Sequence, residues 1–400
     1  MVREIVTDAF GAIAGKRQAK PLASFKVILP LRGFAIFFVV LAHASIMLLA
    51  DDVSRPDSLS VSLLAVGPWQ ILSAAKSIIL EICRFSVPLF LFLSGYYLLS
   101  TPRTWKSIWS ASKKLLLPML FWSMVGLLFS WRKGFGGWTA ADFALKLLTG
   151  TGQMGYFFIV LIVQYYVLSY FLIPAVESRP FITLSATMAI QLLVHAYDYR
   201  YLIASIGSLP ALPGIWGMGP VPEVLFPRFL FSFTLGIWAA THSDSFRRLL
   251  IERYRAIVAL SALSLFLMLL ERGLLCGYGL RTMGLGNFEA TSLSWAEWKI
   301  GTFAWTIAAI FLFFGFFLRR IPLKTQLDTL GKYSLQIFLL HGAALTVVHR
   351  LLYKIFGLNH IVGPVGVIAL LVSGLILPIL FSKIVQKTLP PGLRLLLLGS

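Results

Sequence analysis

The sequence predicts an all-α, polytopic membrane protein with about ten transmembrane helices. Hydrophobic residues make up 58% of the 400 residues and charged residues only 13%, whereas a soluble globular protein has about 25% charged residues. The mean hydropathy is +0.84. Apolar runs recur along the whole chain, and Lys and Arg concentrate in the short connectors between them. These observations are typical of a chain that crosses a membrane many times.

Ten apolar runs are long enough to cross the hydrocarbon core, which is about 30 Å thick and needs about 20 helical residues. Their approximate bounds are 27–50, 78–99, 114–131, 155–174, 181–197, 224–240, 255–271, 299–318, 333–353 and 362–382. The fifth and sixth runs are marginal in length for a crossing. We detect no internal repeat in this series.

The connectors predict the orientation. In a ten-helix chain, the N-terminal arm and the connectors after runs two, six and eight lie on one side of the membrane, and these segments are basic. Because Lys and Arg favour cytoplasmic loops, we expect both termini in the cytoplasm. The third connector is also basic and opposes this assignment. The predicted divisions are a basic cytoplasmic arm (1–26), a ten-helix domain (27–385) and a cytoplasmic tail (386–400).

The net charge of +19 follows from these connectors and does not indicate a nucleic-acid partner. The two cysteines, Cys83 and Cys276, are too few and too distant for a zinc pattern or a disulfide framework. We therefore expect no metal site. The predicted location is the bacterial inner membrane, in contact with membrane lipid.

The first run contains the strongest pointer to chemistry. Arg32 and His43 lie eleven residues apart, which is about three helical turns, so they share one helix face about 16 Å apart. A charged residue at the centre of a membrane helix costs about 2.5–3.5 kcal/mol on insertion scales and usually faces a polar interior. Two alternatives give these residues no role in chemistry. Arg32 can extend its side chain to the lipid headgroups, and His43 can form only a hydrogen bond to a neighbouring helix.

Three further segments carry polar groups that packing does not require. The candidates are Arg84 and Ser94 on the second run, Lys113 and Lys114 before the third, and Ser334 and His341 on the ninth. Arg84 can instead pair locally with Glu81, and the two lysines can act only as topology determinants. Ser94 and Gly95 can form a small-residue helix contact. Because consecutive helices are often neighbours, the first two runs predict an inner layer with Arg32 and Ser94 and an outer layer with His43 and Arg84.

The order of four segments resembles the acyltransferase 3 family of integral membrane acyltransferases. The segments are RGFAIFFVVLAH, FSVPLFLFLSGYYL, KKLLLPMLFW and YSLQIFLLH. The resemblance implies a ten-helix enzyme that moves an acyl group, commonly acetyl from acetyl-CoA, onto hydroxyls of a carbohydrate or lipid-linked glycan. It assigns the essential histidine to His43, the paired basic residue to Arg32 and a further arginine to Arg84. Many members carry two arginines three residues apart where this chain has the adjacent Lys113 and Lys114.

The expected chemistry agrees with this resemblance. Acyl transfer to a hydroxyl needs a general base, for which His43 is suited, and positive groups where charge develops on the carbonyl oxygen, for which Arg84 is suited. We expect Arg32, Lys113 and Lys114 to engage the phosphates of acetyl-CoA. The substrate-binding candidates are Ser94, Lys113, Lys114, Ser334 and His341.

Three other functions remain open on the sequence. The same fold can use succinyl-CoA or another acyl donor. A transporter or flippase of lipid-linked sugars also lines its path with intramembrane Arg and His. The chain can also be a non-catalytic component of a polysaccharide assembly complex, in which the polar residues hold helices together.

Overall fold

The computed structural model describes residues 25–53, 68–99, 104–131, 139–153, 155–206, 222, 224–282, 299–356 and 364–400. The regular structure of these residues is helical. The predicted basic arm, 1–26, lies outside them except for its last two residues. The α-helices are α1 (Phe25–Val53), α2 (Pro68–Cys83), α3 (Ser86–Leu98), α4 (Trp105–Trp131), α5 (Ala140–Thr149), α6 (Phe157–Ser178), α7 (Pro180–Ile206), α8 (Leu230–Thr241), α9 (Ser243–Glu252), α10 (Tyr254–Thr282), α11 (Ile300–Arg319), α12 (Lys324–Lys332), α13 (Ser334–Phe356), α14 (Pro364–Thr388) and α15 (Pro391–Leu398).

Within the described residues, nine helical segments are long and apolar enough to cross a membrane. They correspond to nine of the ten predicted runs and confirm the all-α membrane class. The sixth run, 224–240, differs from the expectation of one long helix. It forms a 3₁₀ turn at Phe226–Phe229 followed by the twelve-residue α8. Pro227 lies at the start of that turn, where its missing N–H costs least.

The second run is broken rather than continuous. Helix α2 ends at Cys83 and α3 begins at Ser86, with a turn at 84–85 between them. Pro88 explains the break, because proline has no N–H to donate to the carbonyl of Arg84 and its ring crowds that carbonyl. The break puts the Arg84 side chain at the junction of two helices.

Contacts between helices give their relative directions. Arg32 of α1 bonds Ser334 of α13, and His43 further along α1 meets His341 further along α13. Helices α1 and α13 are therefore parallel. We call the two faces of the bundle the Arg32 end and the His43 end.

A second set of helices runs in the opposite direction. Ser94, in the second half of α3, lines the same cavity as Arg32, so α3 runs towards the Arg32 end. Glu81, near the end of α2, therefore lies towards the His43 end, where it pairs with Lys299 just before α11. Further along α3 and α11, the rings of Phe92 and Phe314 lie 5.9 Å apart, so α3 and α11 are parallel to each other. Tyr156, at the start of α6, bonds the carbonyl of Leu339, close to His341. Since Tyr166 of α6 lines the same cavity as Arg32, α6 runs from the His43 end to the Arg32 end.

Helices α3 and α8 approach each other through glycine. A Cβ atom on Gly236 would lie 2.0 Å from the carbonyl oxygen of Phe92, and one on Gly95 would lie 2.3 Å from that of Phe233. Only glycine permits this backbone contact. The small-residue alternative considered for Gly95 is therefore what the structure shows.

The segment before α6 begins with a well-capped short helix. Thr139 and Asp142 form a capping box at the start of α5. The hydrogen bonds that Asp142 accepts from the Thr139 backbone N–H and hydroxyl hold the pKa of Asp142 below its usual value. Helix α5 ends at Gly150, whose φ is +71°, and the chain then turns through Gly155 towards His43.

The C-terminal residues pack against the bundle. Helix α14 continues to Thr388, and α15 docks on α4 and α13. The indole Nε1 of Trp122 donates to the carbonyl of Leu397 at 3.0 Å, and Gln336 Nε2 donates to that of Leu398 at 3.2 Å. The segment predicted as a tail, 386–400, is thus largely helical and partly buried.

Candidate active site

Two histidines from distant parts of the chain form a direct pair. His43 Nδ1 lies 2.7 Å from His341 Nε2, and the two rings are stacked with an interplanar angle of 12°. His341 is fully buried, whereas His43 is partly exposed. The pair joins α1 and α13 at the same depth in the bundle.

The surroundings of His341 determine which ring nitrogens carry protons. His341 Nδ1 lies 3.0 Å from the carbonyl oxygen of Ile337 and 2.8 Å from that of Phe338. A carbonyl oxygen can only accept, so His341 Nδ1 donates and, in the neutral ring, Nε2 accepts. His43 Nδ1 must then donate to it, which leaves the lone pair on His43 Nε2. This is the protonation state that a general base requires.

A loop and an aromatic ring close the space around His43. A Cβ atom on Gly155, whose φ is +81°, would lie 3.5 Å from His43 Cε1 and 3.7 Å from Phe338 Cζ. The Tyr156 hydroxyl donates to the carbonyl of Leu339, which ties this loop to α13. The loop before α6 is therefore held against the histidine pair.

Arg32 lies in a cavity at the other end of the site. Its Nη2 donates to Ser334 Oγ at 2.9 Å, and both residues line a cavity of about 400 Å³. Tyr97 and Tyr166 supply further polar groups to the same wall. The rest of the lining is mainly apolar, and its boundary towards the histidine pair includes Phe338.

Three other sequence candidates lie on or beside this cavity. Ser94 lines it, and its hydroxyl donates to the carbonyl of Phe90 at 2.8 Å. Lys113 and Lys114 are exposed and directly precede Leu115, which lines the wall. The Lys113 ammonium lies over the Trp109 ring at 5.3 Å. Both lysines are thus beside the cavity rather than inside it.

Arg84 belongs to a separate buried cluster of charges. Glu81 is fully buried and accepts from Arg84 Nε at 3.0 Å and from Lys299 Nζ at 2.9 Å. Arg272 Nε lies 3.9 Å from the other carboxylate oxygen. The local Arg84–Glu81 pair considered from the sequence is therefore present and is part of a larger network.

Six of the eight sequence-predicted residues fall into three groups in space, and Lys113 and Lys114 lie beside the cavity. Arg32, Ser94 and Ser334 share the cavity, His43 and His341 form the pair, and Arg84 lies in the Glu81 cluster. Sequence reasoning missed Gly155 and the two tyrosines of the cavity. The one available signal was the position of Gly155 as the first residue of the predicted run 155–174, directly after a connector that contains Gly150 and Gly152.

A multi-pass helical protein that holds a histidine pair near a cavity lined by Arg32 has the features of an integral membrane enzyme. The acyltransferase domain family, acyltransferase 3, matches residues 31–383, which include every site candidate. The chain therefore belongs to this family and is a membrane acyltransferase. Neither a comparison with curated proteins nor one with solved structures gives a match.

Proposed function

We propose that this protein transfers an acetyl group from acetyl-CoA to a hydroxyl of a cell-envelope or exported carbohydrate, with His43 as general base. The observation that carries this proposal is the bond from His43 Nδ1 to His341 Nε2. Because His341 Nδ1 donates to two carbonyls, His43 Nδ1 donates to His341. The free lone pair of His43 is therefore on Nε2, the nitrogen that does not contact His341. Family membership supports acyl transfer in general.

The proposed step balances without a further reactant. The acceptor oxygen attacks the thioester carbonyl carbon, so that a C–O bond forms and the C–S bond breaks. His43 Nε2 takes the hydroxyl proton and passes it to the departing CoA thiolate, which restores the neutral histidine. A positioned base contributes about 10²–10⁴-fold to such a step.

The cavity supports a donor site at the Arg32 end. The Arg32 guanidinium and the exposed Lys113 and Lys114 supply positive charge where the phosphates of acetyl-CoA enter. The hydroxyls of Ser94 and Ser334 supply hydrogen-bonding groups along the wall. The thin pantetheine arm is then proposed to lead from this end towards His43, about 16 Å away along α1.

Arg84 stays a predicted catalytic residue at the His43 end. Its ion pair with the buried Glu81 holds the guanidinium at the junction of α2 and α3. In the proposed mechanism it stabilises the charge that develops on the carbonyl oxygen. We propose that the carbohydrate or lipid-linked glycan acceptor approaches from this end. A polysaccharide assembly complex is one partner that can supply this acceptor.

We also propose ten membrane crossings, with both termini in the cytoplasm of a bacterium and the protein in the inner membrane. The contacts of α1 with α13 support this count, because nine crossings that omit 226–241 would make these two helices antiparallel. The 3₁₀ turn and α8 together extend about 26 Å at their usual rises. This length suits a sixth crossing in which neighbouring helices bury most of the segment.

Purified protein with radiolabelled acetyl-CoA tests the proposed activity. We expect the wild type to release CoA and to label a glycan extract, and His43→Ala to lose about 10²–10⁴-fold in rate. His349→Ala, on the same helix as His341, is the matched control and keeps the wild-type rate. A transporter or a structural subunit would release no CoA with or without acceptor, and that result would exclude the proposed activity.

A further inference from the structure

The cavity beside Arg32 opens at the Arg32 end of the bundle. Leu29 lies about one helical turn before Arg32 on α1, and Tyr97 is the penultimate residue of α3. Both line the cavity, and they are 37% and 50% exposed. Exposed lining residues at the ends of these helices mark the mouth of the cavity, so Tyr97 places an aromatic ring at the entrance.

Lysines from three helices surround this mouth. Each is exposed and lies within two residues of a residue that lines the cavity: Lys26, Lys113, Lys114 and Lys332. Asp328, on the same helix as Lys332, pairs with Lys324. The described surface around the mouth therefore carries an excess of positive charge.

The lining inside the mouth has a different character. Apart from Arg32, Ser94, Ser334 and two tyrosines, it is apolar, and burial of an unpaired charge against such a lining is costly. The pantetheine arm of acetyl-CoA is uncharged, whereas the nucleotide carries several negative charges on its phosphates. The arm can therefore enter the cavity, and the nucleotide is favoured at the mouth.

We propose that Tyr97 stacks against the adenine of acetyl-CoA, and that Lys26 and Lys332 bind its phosphates together with the other two lysines. This inference rests on the proposed function, because it concerns the donor of the same reaction. Adenine has a flat π-face that stacks on aromatic side chains, and ammonium groups bind phosphate oxygens.

Two other exposed aromatic residues lie near this end but differ from Tyr97 in their surroundings. Trp105 stacks on Tyr170 at 5.1 Å between ring centroids, and the Lys113 ammonium lies over the Trp109 ring. Tyr97 lies on the cavity wall itself, where an adenine connected to an arm inside the cavity can reach it.

Two donors that differ in the nucleotide test the role of Tyr97. Acetyl-CoA and S-acetyl-phosphopantetheine, which lacks the adenosine part, are compared by thiol release from purified protein with a glycan extract. We expect the wild type to have the lower KM for acetyl-CoA. Tyr97→Ala should raise the KM for acetyl-CoA by about 5- to 150-fold and leave that for S-acetyl-phosphopantetheine unchanged.

Two variants serve as controls for Tyr97→Ala. Tyr97→Phe retains the ring and should keep the wild-type KM for acetyl-CoA, because stacking does not need the hydroxyl. Tyr353 is 52% exposed and lies near the other end of α13, at the His43 end. Tyr353→Ala should therefore leave the KM for both donors unchanged.

A donor without phosphate tests the lysines. The double variant Lys26→Gln/Lys332→Gln should raise the KM for acetyl-CoA by about 2- to 30-fold at low ionic strength, and by less in high salt. The KM for S-acetyl-pantetheine, which has no phosphate, should not change. Lys354→Gln is the matched control, because Lys354 is exposed at the His43 end.

Several results would overturn the adenine site and leave the acyltransferase intact. These are a Tyr97→Ala protein whose KM rises equally for both nucleotide-test donors or for neither, and a Tyr97→Phe protein as impaired as Tyr97→Ala. An unchanged KM for acetyl-CoA in the double-lysine variant would overturn the role of Lys26 and Lys332. A wild type that releases thiol from none of the three donors would overturn the proposed function and the donor site with it.

Discussion

At the scale of single residues, the site depends on hydrogen bonds between side chains far apart in sequence. The Arg32–Ser334 bond and the His43–His341 bond join residues separated by 302 and 298 positions. Each bond holds a reactive or charged group in one orientation. We propose that His341 is a positioning residue for His43, whereas the sequence analysis predicted it as a substrate-binding residue.

The first prediction concerns His341. His341→Ala removes the acceptor for His43 Nδ1–H, so His43 can take the wrong tautomer, and we expect kcat to fall by about tenfold or more but less than in His43→Ala. His341→Gln offers an amide oxygen as a substitute acceptor and recovers part of the rate. Steady-state CoA release measures both variants, and equal rates for Ala and Gln would contradict a positioning role.

The second prediction concerns the donor end. Arg32→Ala removes a charged group from the cavity, and we expect the KM for acetyl-CoA to rise by about 10- to 150-fold, since hydrogen bonds to charged groups are worth about 1.5–3 kcal/mol. Ser334→Ala removes one neutral hydrogen-bonding partner, and we expect it to raise the KM for acetyl-CoA by less than Arg32→Ala does. Radiolabelled donor titrations compare the two, and a change confined to kcat would place Arg32 at the chemical step instead.

At the scale of elements, the placement of the site depends on where helices break and how closely they approach. Pro88 breaks the second run beside Arg84, and Gly95 and Gly236 bring α3 against α8. Helix α3 supplies Phe90 and Ser94 to the cavity wall. A change in the α3–α8 contact therefore alters the cavity as well as stability.

The third prediction tests this contact. Gly236→Ala places a Cβ atom 2.0 Å from the Phe92 carbonyl oxygen, so the helices must separate, at a cost of about 1–3 kcal/mol. Gly273→Ala is the matched control, because a Cβ atom there meets nothing within 4 Å and alanine favours the helix by up to about 1 kcal/mol. We expect Gly236→Ala to lower the melting temperature and Gly273→Ala not to lower it, as measured by thermal unfolding in detergent.

At the scale of the whole molecule, the directions of the helices constrain the topology. Helix α13 is parallel to α1, whereas α3 and α11 run the other way. The chain must therefore return from the end of α7 to the start of α10 through the segment 226–241. This return assigns the Arg-rich helix α9 to the Arg32 end of the bundle.

The fourth prediction tests the proposed crossing count. In a variant without native cysteines, Ser245→Cys on α9 should react with a membrane-impermeant thiol reagent only after spheroplasts are opened. Ala141→Cys on α5, at the opposite end, should react in intact spheroplasts. Both positions are exposed. Labelling of both from the same side would contradict ten crossings with cytoplasmic termini.

The sequence was sufficient for the class of protein, and it named most of the residues that the structure brings together in the candidate site. Nine of the ten predicted runs form helical segments long enough to cross a membrane, the second with a break at 84–85, because about 20 apolar residues in succession have few other stable states. Arg32 and His43 were assigned to one face because helical periodicity fixes directions along a single helix. The shape of the sixth run was not predictable, since its apolar length does not reveal the turn at Pro227.

The sequence by itself determined the membrane class, the succession of apolar helices and the shared face of Arg32 and His43. Only the tertiary structure decided that Ser334 and His341 meet that face, that Lys299 and Arg272 join Arg84 around Glu81, and that Gly155 closes the space beside His43. The physical reason is that periodicity acts within one helix. Partners hundreds of residues apart are selected by the packing of helices against each other, which depends on the shapes of all their side chains at once.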